Sequence, residues 1–221
     1  FDCAVNVQDI VVMVNMILDE DGEFAEDQLL AADLNGDDII NILDIVLVMN
    51  VILPDNLSRG TSTQEATLCY GSGKMQYTAD GDIAGIQLEV IGDYTISENS
   101  LPAGWELEYN ETTILLYSLD GSELSDKILF EYEGDLEIEE SIAADWYGSD
   151  ILVREIILPK EFSLERAYPN PFNPVTTIQY GLPVDAAVNI IVYDLQGRIA
   201  AELVSGMQTA GYYTLKWDAS D

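Results

Sequence analysis

The feature that most constrains this chain is an internal repeat near its start. Residues 6–18 (NVQDIVVMVNMIL) align without gaps on residues 41–53 (NILDIVLVMNVIL) at an offset of 35 residues. Seven positions are identical: Asn6/Asn41, Asp9/Asp44, Ile10/Ile45, Val11/Val46, Asn15/Asn50, Ile17/Ile52 and Leu18/Leu53. Such self-similarity marks a duplicated supersecondary unit. Each copy reads as an Asp/Asn-rich loop running into an apolar helix, with an Asx residue placed to cap it.

The loop before the second copy has a spacing that points to metal chemistry. Asp33, Asn35, Asp37, Ile39, Asn41 and Asp44 fall at positions 1, 3, 5, 7, 9 and 12 of a twelve-residue loop. In a calcium loop, oxygens at alternate positions wrap the ion, position 7 supplies a backbone carbonyl and position 12 closes the cage from the following helix. The competing explanation is an Asx-rich turn that only caps a helix. Position 6 is Asp38, where an EF-hand has glycine, and position 12 is Asp44, where it has glutamate. In the first copy the same alignment makes Asp2, Ala4 (by its carbonyl), Asn6 and Asp9 positions 5, 7, 9 and 12. Positions 1 and 3 would then precede Phe1. This reading makes Phe1 the start of a processed or truncated piece and the first site the weaker of the two.

With Asp at position 12 and two loop–helix copies within about 55 residues, the segment resembles a dockerin. That resemblance implies a Ca2+-binding module that docks onto a cohesin-bearing protein through its helices. Val11, Asn15, Val46 and Asn50 are candidates to face a partner, with core packing as the alternative for the valines.

Composition narrows the partners. The chain has 41 Asp and Glu against 8 Lys and Arg, a net charge of −33. That argues against nucleic acid and anionic membranes, which require a cationic face. There is no histidine, which removes Ser-His-Asp and Cys-His nucleophiles and most zinc sites. Paired carboxylates alone could hydrolyse glycosides, but no motif supports that here, and we expect no enzyme activity. Cys3 and Cys69 lack a CxxC spacing, leaving one disulfide or two thiols as open alternatives. No apolar run reaches the roughly 18 residues of a spanning helix.

Residues 64–158 read as short strands separated by turn signals at Asp80-Gly81, Gly92-Asp93, Asp120-Gly121 and Gly134-Asp135. Residues 82–90, 113–119 and 127–132 are the clearest strands. The segment, including GDIAGIQLEV, resembles a cohesin-type β-sandwich, a fold shared with some carbohydrate-binding modules. Trp105, Tyr109, Trp146 and Tyr147 are candidates for sugar stacking or for core packing. From residue 167 onward, YPNPFNP, TTIQY, VYDLQGR and GYYTLKWD resemble the FlgD-like immunoglobulin domain, a sorting signal of type IX secretion. That likeness implies further strands after Trp217-Asp218 and an open sheet edge.

The expected architecture is therefore multidomain: a small all-α dockerin-like module (1–55), a linker (56–63), a cohesin-like β-sandwich (64–158), a second linker (159–166) and an incomplete immunoglobulin-like domain (167–221). The expected function is that of a secreted or bacterial cell-surface, calcium-binding structural protein. Its modules would join copies of itself, head-to-tail into a filament, or bind a cohesin-bearing protein. The alternative is a scaffold, anchoring or polysaccharide-binding fragment of a larger exported complex.

Overall fold

A computed structural model describes residues 5–19, 22–53, 62–124 and 128–220. Three helices come first: α1 (Val7–Leu18), α2 (Glu26–Ala32) and α3 (Ile42–Ile52). The strands follow as β1 (Glu65–Tyr70), β2 (Lys74–Ala79), β3 (Ile83–Ile91), β4 (Tyr94–Asn99), β5 (Trp105–Tyr109), β6 (Thr113–Ser118), β7 (Ile128–Gly134), β8 (Glu137–Asp145) and β9 (Asp150–Ile157). Then come β10 (Ser163–Leu164), β11 (Val175–Leu182), β12 (Ala186–Tyr193), β13 (Ile199–Gln208) and β14 (Gly211–Asp218). The chain divides into two compact units, Phe1–Cys69 with Gly73–Glu155, and Tyr70–Ser72 with Ile156–Asp221. The boundary expected between a helical module and a β-sandwich is thus not a break in packing, because both lie in the first unit.

The strands of the first unit run in the order β4-β7-β2-β1-β9-β8-β3-β6-β5. The strands expected at 82–90, 113–119 and 127–132 are β3, β6 and β7. In β6 every residue is buried, and in β3 all but Glu89 and Ile91 are. A strand buried throughout must be covered on both faces. Alternation explains how. Gly85 stands opposite Tyr117 of β6 and Ala144 of β8, and Gln87 stands opposite Leu115 and Ile142. Leu115, Tyr117 and Ala144 share one hydrophobic core with Ile10, Met13, Ile42, Ile45, Val46 and Met49 of the helices. Ile86, Leu88, Ile114 and Leu116 alternate to the opposite face and are also buried.

The helix α3 therefore lies between α1 and the β8-β3-β6 face. Its sequence ILDIVLVMNVI is apolar around nearly its whole circumference, as a helix covered on several sides requires. Two glycines permit the close approach. A Cβ at Gly85 would stand 2.6 Å from Ile42 Cγ1, and one at Gly148 would stand 2.6 Å from Leu47 Cδ2. Polar bonds fix the register: the Ile42 N–H donates to Gln87 Oε1 at 3.1 Å, and Asn50 Nδ2 donates to the Trp146 carbonyl at 2.9 Å. At the far end of α1, Asn110 Nδ2 donates to the Leu18 carbonyl at 2.6 Å.

The second unit holds a three-stranded sheet, β10-β11-β14, and the β12-β13 hairpin. Side chains as well as backbone bonds anchor the Pro-rich motif before β11. The Phe172 ring packs on Trp217 with centroids 5.2 Å apart, and Thr176 Oγ1 donates to the Pro169 carbonyl at 2.9 Å.

If α3 is held by this face, Gly85→Val should lower stability by about 1–3 kcal/mol, the usual cost of overpacking. Urea denaturation would measure it, and an unchanged midpoint would contradict the helix-on-sheet packing.

Candidate calcium loops

Both copies of the repeat close their helices with the same device. In the first, the Gln8 N–H donates to Asn6 Oδ1 at 2.8 Å and the Asn6 N–H donates to Asp9 Oδ2 at 2.9 Å. In the second, the Leu43 N–H donates to Asn41 Oδ1 at 2.8 Å and the Asn41 N–H donates to Asp44 Oδ2 at 3.0 Å. Each is a reciprocal capping box, which satisfies amides that a helix start leaves without intrahelical partners. Helix capping thus accounts for positions 9 and 12.

It does not account for the carboxylates upstream. Asp33 Oδ1 accepts from the Gly36 N–H at 2.7 Å and Oδ2 from the Asp38 N–H at 3.0 Å. Asp37 Oδ1 accepts from the Ile39 N–H at 2.9 Å, and Asn35 Oδ1 from the Asp37 N–H at 2.9 Å. The loop is wound around its own side-chain oxygens. Asp38, at the position where an EF-hand has glycine, adopts φ 67°. The left-handed turn is therefore kept with a residue whose short polar side chain tolerates it.

Asp44 closes the loop from inside. Its Oδ1 accepts from the Leu34 N–H at 2.8 Å and the Asn35 N–H at 3.2 Å, and the side chain is fully buried. Burial pushes its pKa above the usual carboxylate value; the amide bonds from Asn41, Leu34 and Asn35 act in the opposite direction only in part, and the nearby Asp33 carboxylate adds to the rise. A raised folded pKa has a definite sign. The stabilisation from protonating Asp44 is complete below its unfolded value and is lost as pH rises through the folded one. Burial thus disfavours the charged form of this carboxylate, and a cation held beside it would act in the opposite direction.

The donor set is chemically suited to calcium: carboxylates from Asp33, Asp37 and Asp44, amide oxygens from Asn35 and Asn41, and the Ile39 carbonyl, with no sulfur or imidazole. Among the described residues, no three acidic, Cys or His side chains converge closely enough to hold an ion; the oxygens instead accept loop amides. In the first copy only Asn6 and Asp9 fall within the described residues. Asp2, Ala4 and Cys3 lie outside them, and with Cys3 lies any test of a bond to Cys69, which is half-buried.

The other expected residues separate cleanly. Trp105 and Trp146 are buried, and Trp105 Nε1 donates to the Ser122 carbonyl at 2.9 Å. They belong to the core and are not open to sugar stacking; Tyr109 and Tyr147 are exposed. Of the four candidate partner-facing residues, Val11 and Asn15 are exposed, Val46 is fully buried and Asn50 is half-buried. Sequence reasoning missed α2 and Gln87. The acidic first turn Glu26-Asp27 was a signal for the helix; nothing local marks a strand glutamine as a cap for a distant helix.

Comparison with known families agrees with the repeat. Residues 1–53 match the Dockerin type I domain. Curated proteins gave no match. Among solved structures, the chain is similar to one from a crystal structure of the Coh-OlpC-Doc435 complex, described as a novel type I cohesin–dockerin complex from Clostridium thermocellum. The identity is 10%, over 45% of this chain and 97% of that chain, with a TM-score of 0.28.

The two caps in the dockerin-type segment differ in surroundings, since Asn41 is buried and Asn6 is not. Asn41→Ala should cost about 1–2 kcal/mol and Asn6→Ala about 0.5 kcal/mol, the range for lost N-caps. Equal losses in urea denaturation would contradict the asymmetry.

Proposed function

We propose that this chain is a non-enzymatic, extracellular docking protein. Its dockerin-type segment binds Ca2+ through the loop from Asp33 to Asp44 and recognises a cohesin-type module on another protein. The observation that carries this reading is the match of residues 1–53 to the Dockerin type I domain, together with a duplicated loop–helix whose two capping boxes are superposable in their bonding. The oxygen-only donor set and the buried Asp44 carboxylate support calcium as the ion. The net charge of −33 and the lack of histidine support a binding role over nucleophilic catalysis. No helix among the described residues is long and apolar enough to cross a membrane. The resemblance of the C-terminal motifs to an immunoglobulin-like sorting module supports a location at a bacterial surface or outside the cell.

Calorimetric titration against a panel of purified type I cohesins, in calcium and in EGTA, tests it. Binding to at least one member is expected in calcium and is lost in EGTA. The double variant Asp33→Ala/Asp37→Ala should abolish the calcium-induced rise in melting temperature, which follows from ion binding to the folded state alone. A melting temperature indifferent to calcium in the wild-type chain would remove the metal from the proposal.

A further inference from the structure

An asparagine followed by glycine is the pair in a protein chain most prone to lose its side-chain amide. Of the eleven asparagines here, only Asn35 precedes a glycine. Loss of the amide begins when the next peptide nitrogen reaches the side-chain carbonyl carbon, an approach that a Cβ on the following residue obstructs. Gly36 has none and adopts φ 77°. A Cβ built there would meet no heavy atom within 4 Å beyond its chain neighbours. Both residues are exposed, so water has access to whatever forms.

The Asp33–Asp44 loop also polarises the reacting groups. The Gly36 N–H donates to Asp33 Oδ1 at 2.7 Å, which draws its proton and leaves the nitrogen more nucleophilic. Asn35 Oδ1 accepts from the Asp37 N–H at 2.9 Å, which draws electrons from Cγ. Asn35 Nδ2, the leaving nitrogen, donates to Asp37 Oδ2 at 2.8 Å. We propose that Asn35 is a deamidation site, open in the calcium-free loop and closed by a bound ion, whose isoaspartyl product no longer holds calcium. The inference rests on the proposed calcium loop and adds a chemical fate to it.

The reaction needs only water. The Gly36 nitrogen attacks Asn35 Cγ; the N–Cγ bond forms, the Cγ–Nδ2 bond breaks, and the Gly36 amide proton goes to the departing nitrogen, which leaves as ammonia. Water then opens the five-membered ring at one of its two carbonyl–nitrogen bonds. Breaking the bond to Cγ gives aspartate, which keeps a side-chain oxygen at loop position 3 and adds a negative charge to the donor set. Breaking the bond to the Asn35 main-chain carbonyl gives isoaspartate, which runs the main chain through the former side chain and lengthens it by one methylene. Asp33 and Asp37 then lose their register, and the Gly36 and Asp38 amides that Asp33 holds at 2.7 and 3.0 Å are displaced. Ring closure must also swing the Asn35 carboxamide off Asp37 and onto the Gly36 nitrogen. An ion bound by Asp33, Asn35 and Asp37 opposes that swing. A chain left without calcium would thus lose its docking permanently rather than reversibly.

The test incubates the full chain for several days in mildly alkaline buffer, with saturating calcium or with EGTA, and follows each asparagine by peptide mapping and mass spectrometry. In EGTA the Asn35 peptide should gain one mass unit well before that of exposed Asn99, which precedes serine. Calcium should slow the conversion about tenfold or more, as misplacement of reacting atoms does. The isoaspartyl chain, separated by ion exchange, should bind calcium about tenfold or more weakly, and Asn35→Asp, which stands for the other product, should bind it at least as well as the wild type. Conversion of Asn35 no faster than that of Asn99, or an isoaspartyl chain with wild-type calcium affinity, would overturn the inference. If calcium raises the melting temperature of the wild-type chain and Asn35 converts equally fast with and without it, the inference is wrong while the calcium loop stands. If calcium leaves the melting temperature unchanged, the metal in the proposed function falls and this inference falls with it.

Discussion

The burial of α3 is the contact on which the first unit depends. An 11-residue helix is too short to hold its shape in water by propensity alone and takes its stability from packing. Here it is packed from two sides. Ile42, Ile45, Val46, Val48 and Met49 share one buried cluster with Ile10, Met13 and Val14 of α1 and with Ala84, Leu115, Tyr117 and Ala144 of the sheet. Each such side chain contributes about 1.5–3 kcal/mol of burial, so neither the helices nor this sheet face has an independent core. Removing α3 would expose Leu115, Tyr117 and Ala144 as well as the inner side of α1.

The Asp33–Asp44 loop and the sheet are joined by the same helix. Asn41 and Asp44 close the loop and cap α3 at once, and the next amide, Ile42 N–H, is taken by Gln87 from β3. Gln87 is itself buried and donates through Nε2 to Glu89 Oε1 at 3.0 Å. A change in the Asp33–Asp44 loop therefore reaches the sheet through three consecutive residues, without any rearrangement of the helix body. An ion held there would stabilise the contact between helices and sheet as well as the loop, because the residues that bind it also set the angle at which α3 leaves.

How much of this was legible in the sequence depends on range. The repeat, the caps at Asn6 and Asn41, and strands at 82–90 and 113–119 follow from local spacing, and local spacing determines hydrogen bonds that close within three or four residues. The cis packing was not legible as such, because it joins residues as distant as Asn50 and Trp146. One signal did exist. Where the two copies differ, α1 has Gln8 and α3 has Leu43; Gln8 is exposed and Leu43 is buried. A duplicated helix that becomes more apolar in one copy reports that this copy has gained a neighbour. The tryptophans show the opposite limit. Trp105 and Trp146 are as compatible with a sugar platform as with a core until their burial is known, since an aromatic ring serves both.

The asymmetry between the copies also bears on filament formation. Head-to-tail joining through helices and sheet requires the helix face of one chain and the sheet face of the next to be open together. In this chain the sheet face is closed by α3, the one helix whose face fits it here. Opening it would expose fully buried Ile42 and Val46 and break the bonds of Gln87 and Asn50, costs of several kcal/mol before any contact with a neighbour forms. The intramolecular contact has the advantage of being tethered, so its effective concentration exceeds that of a second chain at ordinary concentrations. A polymer built this way would need the intermolecular contact to exceed the internal one by that margin. A partner that leaves the contact of α3 with the sheet intact needs no such exchange, which is the physical reason to favour a different protein over another copy.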